Sequence, residues 1–426
     1  MKVAIITAGG AGMFCGSCMQ DNTLARTLRL ADVDAVLVPT YTPIRVDEED
    51  VSDERVFLGG INVYLDSAIP GWKRLPAWLT GWLNRPSVIR TLSRLGSTDA
   101  SRLGSLTLDM LRGTAGPQQR EIREFADYLC DELKPDVVLF SNALLSGMLS
   151  ALKPRFPGQV FCLLQGDDIF LDALSKRWRP AVMEQMKTNC AGFDGFLTHS
   201  RYYRDHMCDY LGLTADAFAQ IPLTIEGLPG GLSADQTADP KRGVTIGYFA
   251  RICPEKGIHN FLAAAETVLP EFPSAQVQIA GYLPKERHKW FHRLLARAQS
   301  AAPGRVHWLS SPETREQKFA IIRQFDHLCV PTDYHEPKGL YVLEAALCEV
   351  PSILPRHGAF PELVDRLQTG TLYDATTPEG LSNAFRDCLQ NPEPAQAALS
   401  TRALTHYGMS ATASVIRTAI TDLCGR

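Results

Sequence analysis

His327-Leu-Cys-Val-Pro-Thr-Asp-Tyr-His-Glu-Pro-Lys-Gly-Leu-Tyr-Val-Leu-Glu344 reads as a buried strand, a polar loop and a helix. The strand ends at Pro331, the loop runs through Asp333 and His335, and the helix opens at Gly339. A helix start exposes unpaired backbone N–H groups and the positive end of its dipole, which together make an anion site. Gly339, without a Cβ, lets the backbone approach a ligand closely. Glu336 lies in the loop and Glu344 about one turn into the helix. A diphosphate on the helix start would have one carboxylate on each side of it. Carboxylates do not bind phosphate, so their natural partners are hydroxyls, one set on a sugar and one on a ribose.

Outward from this stretch the chain alternates short β-branched runs with amphipathic ones, the pattern of βαβ units and parallel sheets. Strands are expected at Val244–Phe249, Gln276–Ala280, Val306–Leu309, His327–Pro331 and Ser352–Pro355. Helices are expected at Ile258–Glu271, Glu286–Ala298, Pro312–Gln324 and Leu340–Glu349. In the first half, Lys2–Thr7, Asp34–Pro39, Asp136–Phe140, Val160–Leu164 and Gly195–Thr198 read as strands and Met19–Leu30 as a helix. Residues 42–118 follow neither period and read as an irregular insertion. Leu223–Gly243, with Gly227, Pro229, Gly230, Gly231 and Pro240, reads as the linker. The expectation is α/β: two Rossmann-like domains, 1–225 and 226–405, facing each other across a cleft. A final helix, Ser410–Leu423 within 406–426, crosses back to the first domain.

The length of 426 residues suits two domains. A formal net charge of −4 leaves no basic excess to neutralise nucleic-acid phosphates, so no nucleic-acid partner is expected. No apolar run reaches the ~18 residues that span a bilayer. The first strand is too short for a signal-peptide core, and the 11 scattered cysteines suit reduced thiols in a cytoplasmic protein.

Glu336-x7-Glu344, followed by Ala-Ala-Leu-Cys-Glu-Val-Pro-Ser-Ile and by His357-Gly-Ala-Phe-Pro-Glu362, resembles the donor-site signature of retaining GT-B glycosyltransferases of family 4. The resemblance implies that Glu336 lies near the donor sugar and that Glu344 bonds the nucleotide ribose. It also implies donor contacts from Gly339, Leu340 and Tyr341. Ile246-Gly-Tyr-Phe-Ala-Arg251-Ile-Cys-Pro-Glu-Lys256-Gly257 is similar to the family's Arg-x-x-x-x-Lys-Gly element. Arg251 and Lys256 would then neutralise the departing diphosphate, through paired N–H donors and a mobile point charge. The resemblance is strong over most of the second domain and weak over the first.

Ala8-Gly9-Gly10-Ala11-Gly12-Met13-Phe14 follows the first strand and also resembles a dinucleotide fingerprint, but no strand-terminal acid stands at the NAD spacing. The family likeness gives Gly10 and Gly12 a place facing the donor. Gln165-Gly-Asp167-Asp168 stands where the family places a His or Asp near the reacting centre. Gln165 occupies the position sought for His, and Asp167 either orients the acceptor hydroxyl or caps the next helix.

Cys15-Gly-Ser-Cys18 has thioredoxin-type spacing at a helix start, and no second pair exists to complete a zinc site. Structural or substrate-lining thiols are the reading. This loop, with Gly59-Gly-Ile-Asn-Val-Tyr64, also resembles a bacterial subset of the family. Asp32-Val-Asp34 reads as a surface turn, so no metal and no cofactor are expected. Trp72, Trp78 and Trp82 among the cations of 69–90 suit packing, an acceptor lid or peripheral contact with the inner membrane face. His199 and His206, on either side of a helix start near Ser200, receive no role. The function expected is metal-independent transfer of a hexose from a sugar nucleotide to an acceptor hydroxyl, with retention. The acceptor (a glycan, a lipid-linked sugar or a small molecule) is open. The alternatives are a GT-B epimerase or hydrolase, and a non-catalytic or redox protein using Cys15 and Cys18.

Overall fold

The computed structural model describes residues 1–9, 15–53, 55–57, 103–230, 243–377, 379–391 and 398–425. These form two compact units, Met1–Thr224 with Thr412–Arg426, and Ile225–Ala411. In the first unit, β1 (Lys2–Thr7), β2 (Asp34–Pro39), β3 (Val137–Phe140), β4 (Gln159–Leu163), β5 (Gly195–Thr198) and β6 (Phe218–Gln220) form one sheet in the order β2-β1-β3-β4-β5-β6. Every pairing is parallel. Successive residues of β1 serve opposite faces, as the period of two requires. Val3 and Ile5 pack with Leu24, Leu28 and Leu37, and Ala4 and Ile6 pack with Phe125, Val138 and Phe140.

The second unit repeats the plan with β7 (Thr245–Phe249), β8 (Gln276–Ala280), β9 (Val306–Trp308), β10 (His327–Cys329), β11 (Ser352–Pro355) and β12 (Thr371–Tyr373), in the order β12-β11-β10-β7-β8-β9. All of its pairings are parallel too. The chain leaves β7 in one direction, then returns after β9 to place β10 on the other side of β7, with His327 opposite Ile246. The loops that follow β7 and β10 therefore diverge from adjacent strand ends. That switch point is where open α/β sheets bind ligands.

The helix after the second strand loop runs Leu340–Leu347 rather than to Glu349, because Glu349 turns left-handed (φ 58). Its carboxylate then accepts from the N–H groups of Leu399 and Ser400 at the start of helix Leu399–Tyr407. Helix Arg315–Ile322 starts after Thr314, whose hydroxyl accepts from Gln317 N. Residues 103–118, expected to be irregular, contain the helix Gly104–Leu111. Leu108, Met110 and Leu111 are buried there, so tertiary packing supplies what the weak local period lacks. The rest of the expected insertion lies largely outside the described residues. The last helix, Met409–Cys424, buries Ile416, Ile420 and Leu423 among Val3, Ile5 and Leu197 of the first unit. No described helix is long and apolar enough to cross a membrane.

Candidate functional site

In the second unit, the loops after β7 and β10 are tied together by Asp333. Its backbone N–H donates to Glu255 O at 3.1 Å, and its carboxylate accepts from Asn260 Nδ2 at 2.7 Å. This brings Lys256 to Glu336. The Lys256 ammonium lies 2.6 Å from Glu336 Oε2, the same oxygen that accepts from Tyr334 at 2.8 Å and from Tyr341 at 3.0 Å. The ammonium also lies 5.0 and 4.9 Å from the ring centres of those two tyrosines, so it is held by charge and by π-faces together. Burial by itself pushes the Glu336 carboxyl up. The Lys256 charge and the three donated hydrogen bonds outweigh it, and the group sits below the usual glutamate range. The same burial, beside an ionised neighbour, pushes the Tyr334 and Tyr341 phenols well up, so both remain donors.

Glycines set the approach distances. A Cβ on Gly358 (φ 63) would come within 2.6 Å of both Glu336 N and Glu336 O, and Ala359 N donates to that Glu336 carbonyl at 2.8 Å. Gly339 (φ 78) is the residue before helix Leu340–Leu347, and a Cβ there would meet Leu363 at 2.8 Å. That helix buries most of its surface, including Tyr341, Val342, Leu343 and Ala345. Glu344 is held from the neighbouring helix: Lys318 Nζ donates to its Oε1 at 2.8 Å, with the lysine side chain 7% and the glutamate 12% exposed. Arg251 is exposed and joins no ion pair among the described residues. The His357 and His335 rings stack 4.6 Å apart, and burial lowers His357 to about 4, so its ring is neutral near neutrality.

Of the residues expected to meet the donor, Lys256, Glu336, Gly339 and Tyr341 thus converge, and Leu340 opens the helix. Glu344 follows with a lysine of its own. Lys256 faces a carboxylate rather than standing apart as a free phosphate ligand. Tyr334, Gly358 and Lys318 were not singled out by the sequence. Lys318 had a readable signal: Arg315, Lys318, Phe319 and Ile322 share one buried stripe, and a lysine on such a stripe requires a partner.

In the first unit, Gln165, Asp167 and Asp168 follow β4 and open helix Asp167–Asp172. Gln165 Nε2 donates to Asp21 Oδ1 and to Ser141 O, both at 2.9 Å. Asp167 accepts from Ala143 N at 2.6 Å and from Gln165 N at 3.0 Å, tying the loops after β3 and β4 together. The residue preceding the helix is Gly166, and Asp167 is its first member. The Tyr203 hydroxyl accepts from Gly166 N and Asp167 N and donates to Asp168 at 2.6 Å. His206, given no role above, lies 2.9 Å from the other Asp168 oxygen and stacks on Tyr202. Burial pushes Asp167 up to about 6 against the pull of its backbone donors, and the hydrogen bond to Asp168 raises His206. Cys18 is pushed well up by its hydrogen bond with Cys15 and by burial, the opposite of an activated thiolate. Of Asp32-Val-Asp34, expected as a surface turn, Asp32 (φ 56) lies in the turn, whereas Asp34 is the first residue of β2 and faces Lys2 at 3.8 Å. Gly10, Gly12, Gly59–Tyr64 and the tryptophans of 69–90 lie outside the described residues. Among the described residues, no group of three or more His, Cys, Asp or Glu could hold a metal ion.

Residues 233–404 match the family model of Glycosyl transferases group 1. Glycogen synthase of Mycobacterium tuberculosis (strain H37Rv) is 26% identical over 204 residues, 48% of this chain and 47% of that protein. The chain thus spans about half the length of the curated relatives it matches. Among solved structures, sucrose-phosphate synthase from Thermosynechococcus elongatus superposes with a TM-score of 0.69 at 15% identity, over 100% of this chain and 99% of that one. HepE of Anabaena, in complex with UDP and glucose, superposes at 0.64 and 14% identity, over 99% and 100%. At these identities the structural likeness defines the fold, which is GT-B. The Lys256–Glu336 and Lys318–Glu344 pairs lie within the segment that matches the family model.

Proposed function

We propose that the protein is a metal-independent, retaining glycosyltransferase that moves a hexose from a nucleoside-diphosphate sugar to an acceptor hydroxyl. The observation that carries the reading is the pair of glutamates flanking the start of helix Leu340–Leu347, each fixed by its own buried or half-buried lysine. In the reading, Glu344 accepts from the ribose hydroxyls with the oxygen that Lys318 does not occupy. Glu336, held through Oε2, presents Oε1 to the donor sugar. The helix start at Gly339 and the exposed Arg251 meet the diphosphate and stabilise it as it leaves. Leu340 contributes its backbone N–H there, and the first unit binds the acceptor. A GT-B neighbour supports a sugar-nucleotide donor, since HepE was crystallised with UDP, with UDP and glucose, and with UDP-glucose. The raised Cys18 disfavours the redox alternative.

The test is thermal-shift screening of the full chain against UDP, GDP, ADP and their common sugar conjugates, in EDTA and with Mg²⁺. Binding to the native state raises the apparent stability by mass action. A selective rise in EDTA that disappears in Glu344→Ala supports the reading and identifies the base. No rise with any nucleotide under either condition refutes it. Retention is checked separately, from the anomeric configuration of the product.

A further inference from the structure

Between residues 285 and 305 the chain carries six Lys and Arg against a single carboxylate, Glu286, although its formal net charge is −4. Two of the six are spoken for. Arg305 donates to the carbonyls of Leu269, Phe272 and Ala275, and Arg297 pairs with Glu266. Lys285, Arg287, Lys289 and Arg293 are all exposed and join no ion pair among the described residues. They lie in or just before helix His288–Ala301, whose buried stripe is Phe291, Leu295 and Ala298. Helical spacing puts Lys289, His292 and Arg293 on the outward arc, with Lys289 and Arg293 opposite the stripe.

Aromatic side chains border that arc on both sides. Trp308, on the edge strand β9 and 37% exposed, packs edge-on against His292 at 5.2 Å and Phe291 at 5.4 Å. Trp290, half-buried, leans toward His259 at 6.4 Å. This arrangement opposes the helix's own stability. Cations crowd its N-terminal end, where the dipole favours anions, and Lys289 and Arg293 repel each other at i, i+4. The first turn contains no acidic residue to offset this. An external anion would relieve both penalties.

We infer that this face of the second unit docks on an anionic lipid surface, with the four exposed cations meeting phosphodiester headgroups and Trp308 seated at headgroup depth. The arc is convex and bordered by indole rings, which suits a planar array of phosphates and an interfacial aromatic anchor. The inference uses no residue of the sugar-nucleotide site and holds whether or not that reading does.

The experiment is co-sedimentation of the full chain, without nucleotide, with phosphatidylcholine vesicles and with vesicles containing about one-third phosphatidylglycerol, at low and at moderate salt. The chain is expected to bind only the anionic vesicles and to be released by salt. Lys289→Glu/Arg293→Glu is expected to weaken binding at least ~10-fold, with Lys289→Gln/Arg293→Gln intermediate. The Tm of the Glu variant should stay level or rise, because carboxylates suit the start of a helix, and this separates lost docking from lost folding. Trp308→Ala should weaken binding several-fold and leave its salt dependence unchanged. No binding to anionic vesicles at low salt overturns the inference. So does equal binding by the Glu variant, or tighter binding to a single-stranded RNA homopolymer than to the vesicles.

Discussion

The two units place buried carboxylates at equivalent ends of similar parallel sheets and compensate them by different means. In the second unit each glutamate meets a lysine: Glu336 with Lys256 at 2.6 Å, and Glu344 with Lys318 at 2.8 Å. In the first unit Asp167 is held by backbone N–H groups, and Asp168 by a phenol and an imidazole. A lysine keeps its partner ionised through burial, whereas neutral donors do so only in part. Glu336 accordingly sits below its usual range while Asp167 is pushed up to about 6. The difference separates a site whose charge is fixed from one whose charge depends on pH near neutrality.

The strongest way to break the comparison is to remove the cation from one side. Lys256→Met leaves Glu336 buried without its counter-charge, and should cost about 3 kcal/mol in urea unfolding together with nucleotide-sugar binding. The double variant Lys256→Met/Glu336→Gln should recover part of the stability. If the single and double variants are equally unstable, the pairing does not carry the loss.

The first unit should answer through pH. Asp167 binds its proton more tightly folded (about 6) than unfolded (3.8). Its contribution is therefore present below pH 3.8 and lost as pH rises through 6, a change of about 2–3 kcal/mol. Glu336 has the opposite sign, its contribution being present above 4.5 and lost as pH falls through its lowered folded value. Unfolding midpoints measured from pH 4 to 7 should lose the Asp167 slope in Asp167→Asn and keep it in Glu344→Ala. A slope that survives Asp167→Asn assigns it to another group.

Gly358→Ala tests the backbone contact behind the charged pair. With φ 63 and no room beside Glu336, it should lose about 2 kcal/mol, and nucleotide-sugar affinity should fall in the same variant. Alanine accommodated with both properties intact would mean that this approach is not needed. The smallest effect belongs to His206→Gln. The hydrogen bond to Asp168 raises the folded His206, so its contribution is present below pH 6.5 and lost as pH rises through the folded value. A loss under about 1 kcal/mol is expected at pH 5.5 and none at pH 9, because the pair is partly solvated.

The stretch His327–Glu344 was legible because its signals are local. A strand end, a glycine and a helix start follow one another there, and the structure has each of them. The partners of those residues were not legible. Lys318 reaches Glu344 from another helix, and Gly358 meets Glu336 from the loop after β11. Around Asp167, Gln165 joins Asp21 across 144 positions. The helix Gly104–Leu111 was missed for a related reason: its local period is weak and its burial comes from residues distant in sequence.

By itself the sequence determined two α/β units and a glycine-opened helix with one glutamate before it and one inside it, because period, capping and turn chemistry act over a few residues. The tertiary structure decided which cation meets which carboxylate, and which carboxylate meets none. Those outcomes follow from strand order. The order β12-β11-β10-β7-β8-β9 makes β7 and β10 neighbours, and so brings Lys256 within 2.6 Å of a glutamate 80 positions away.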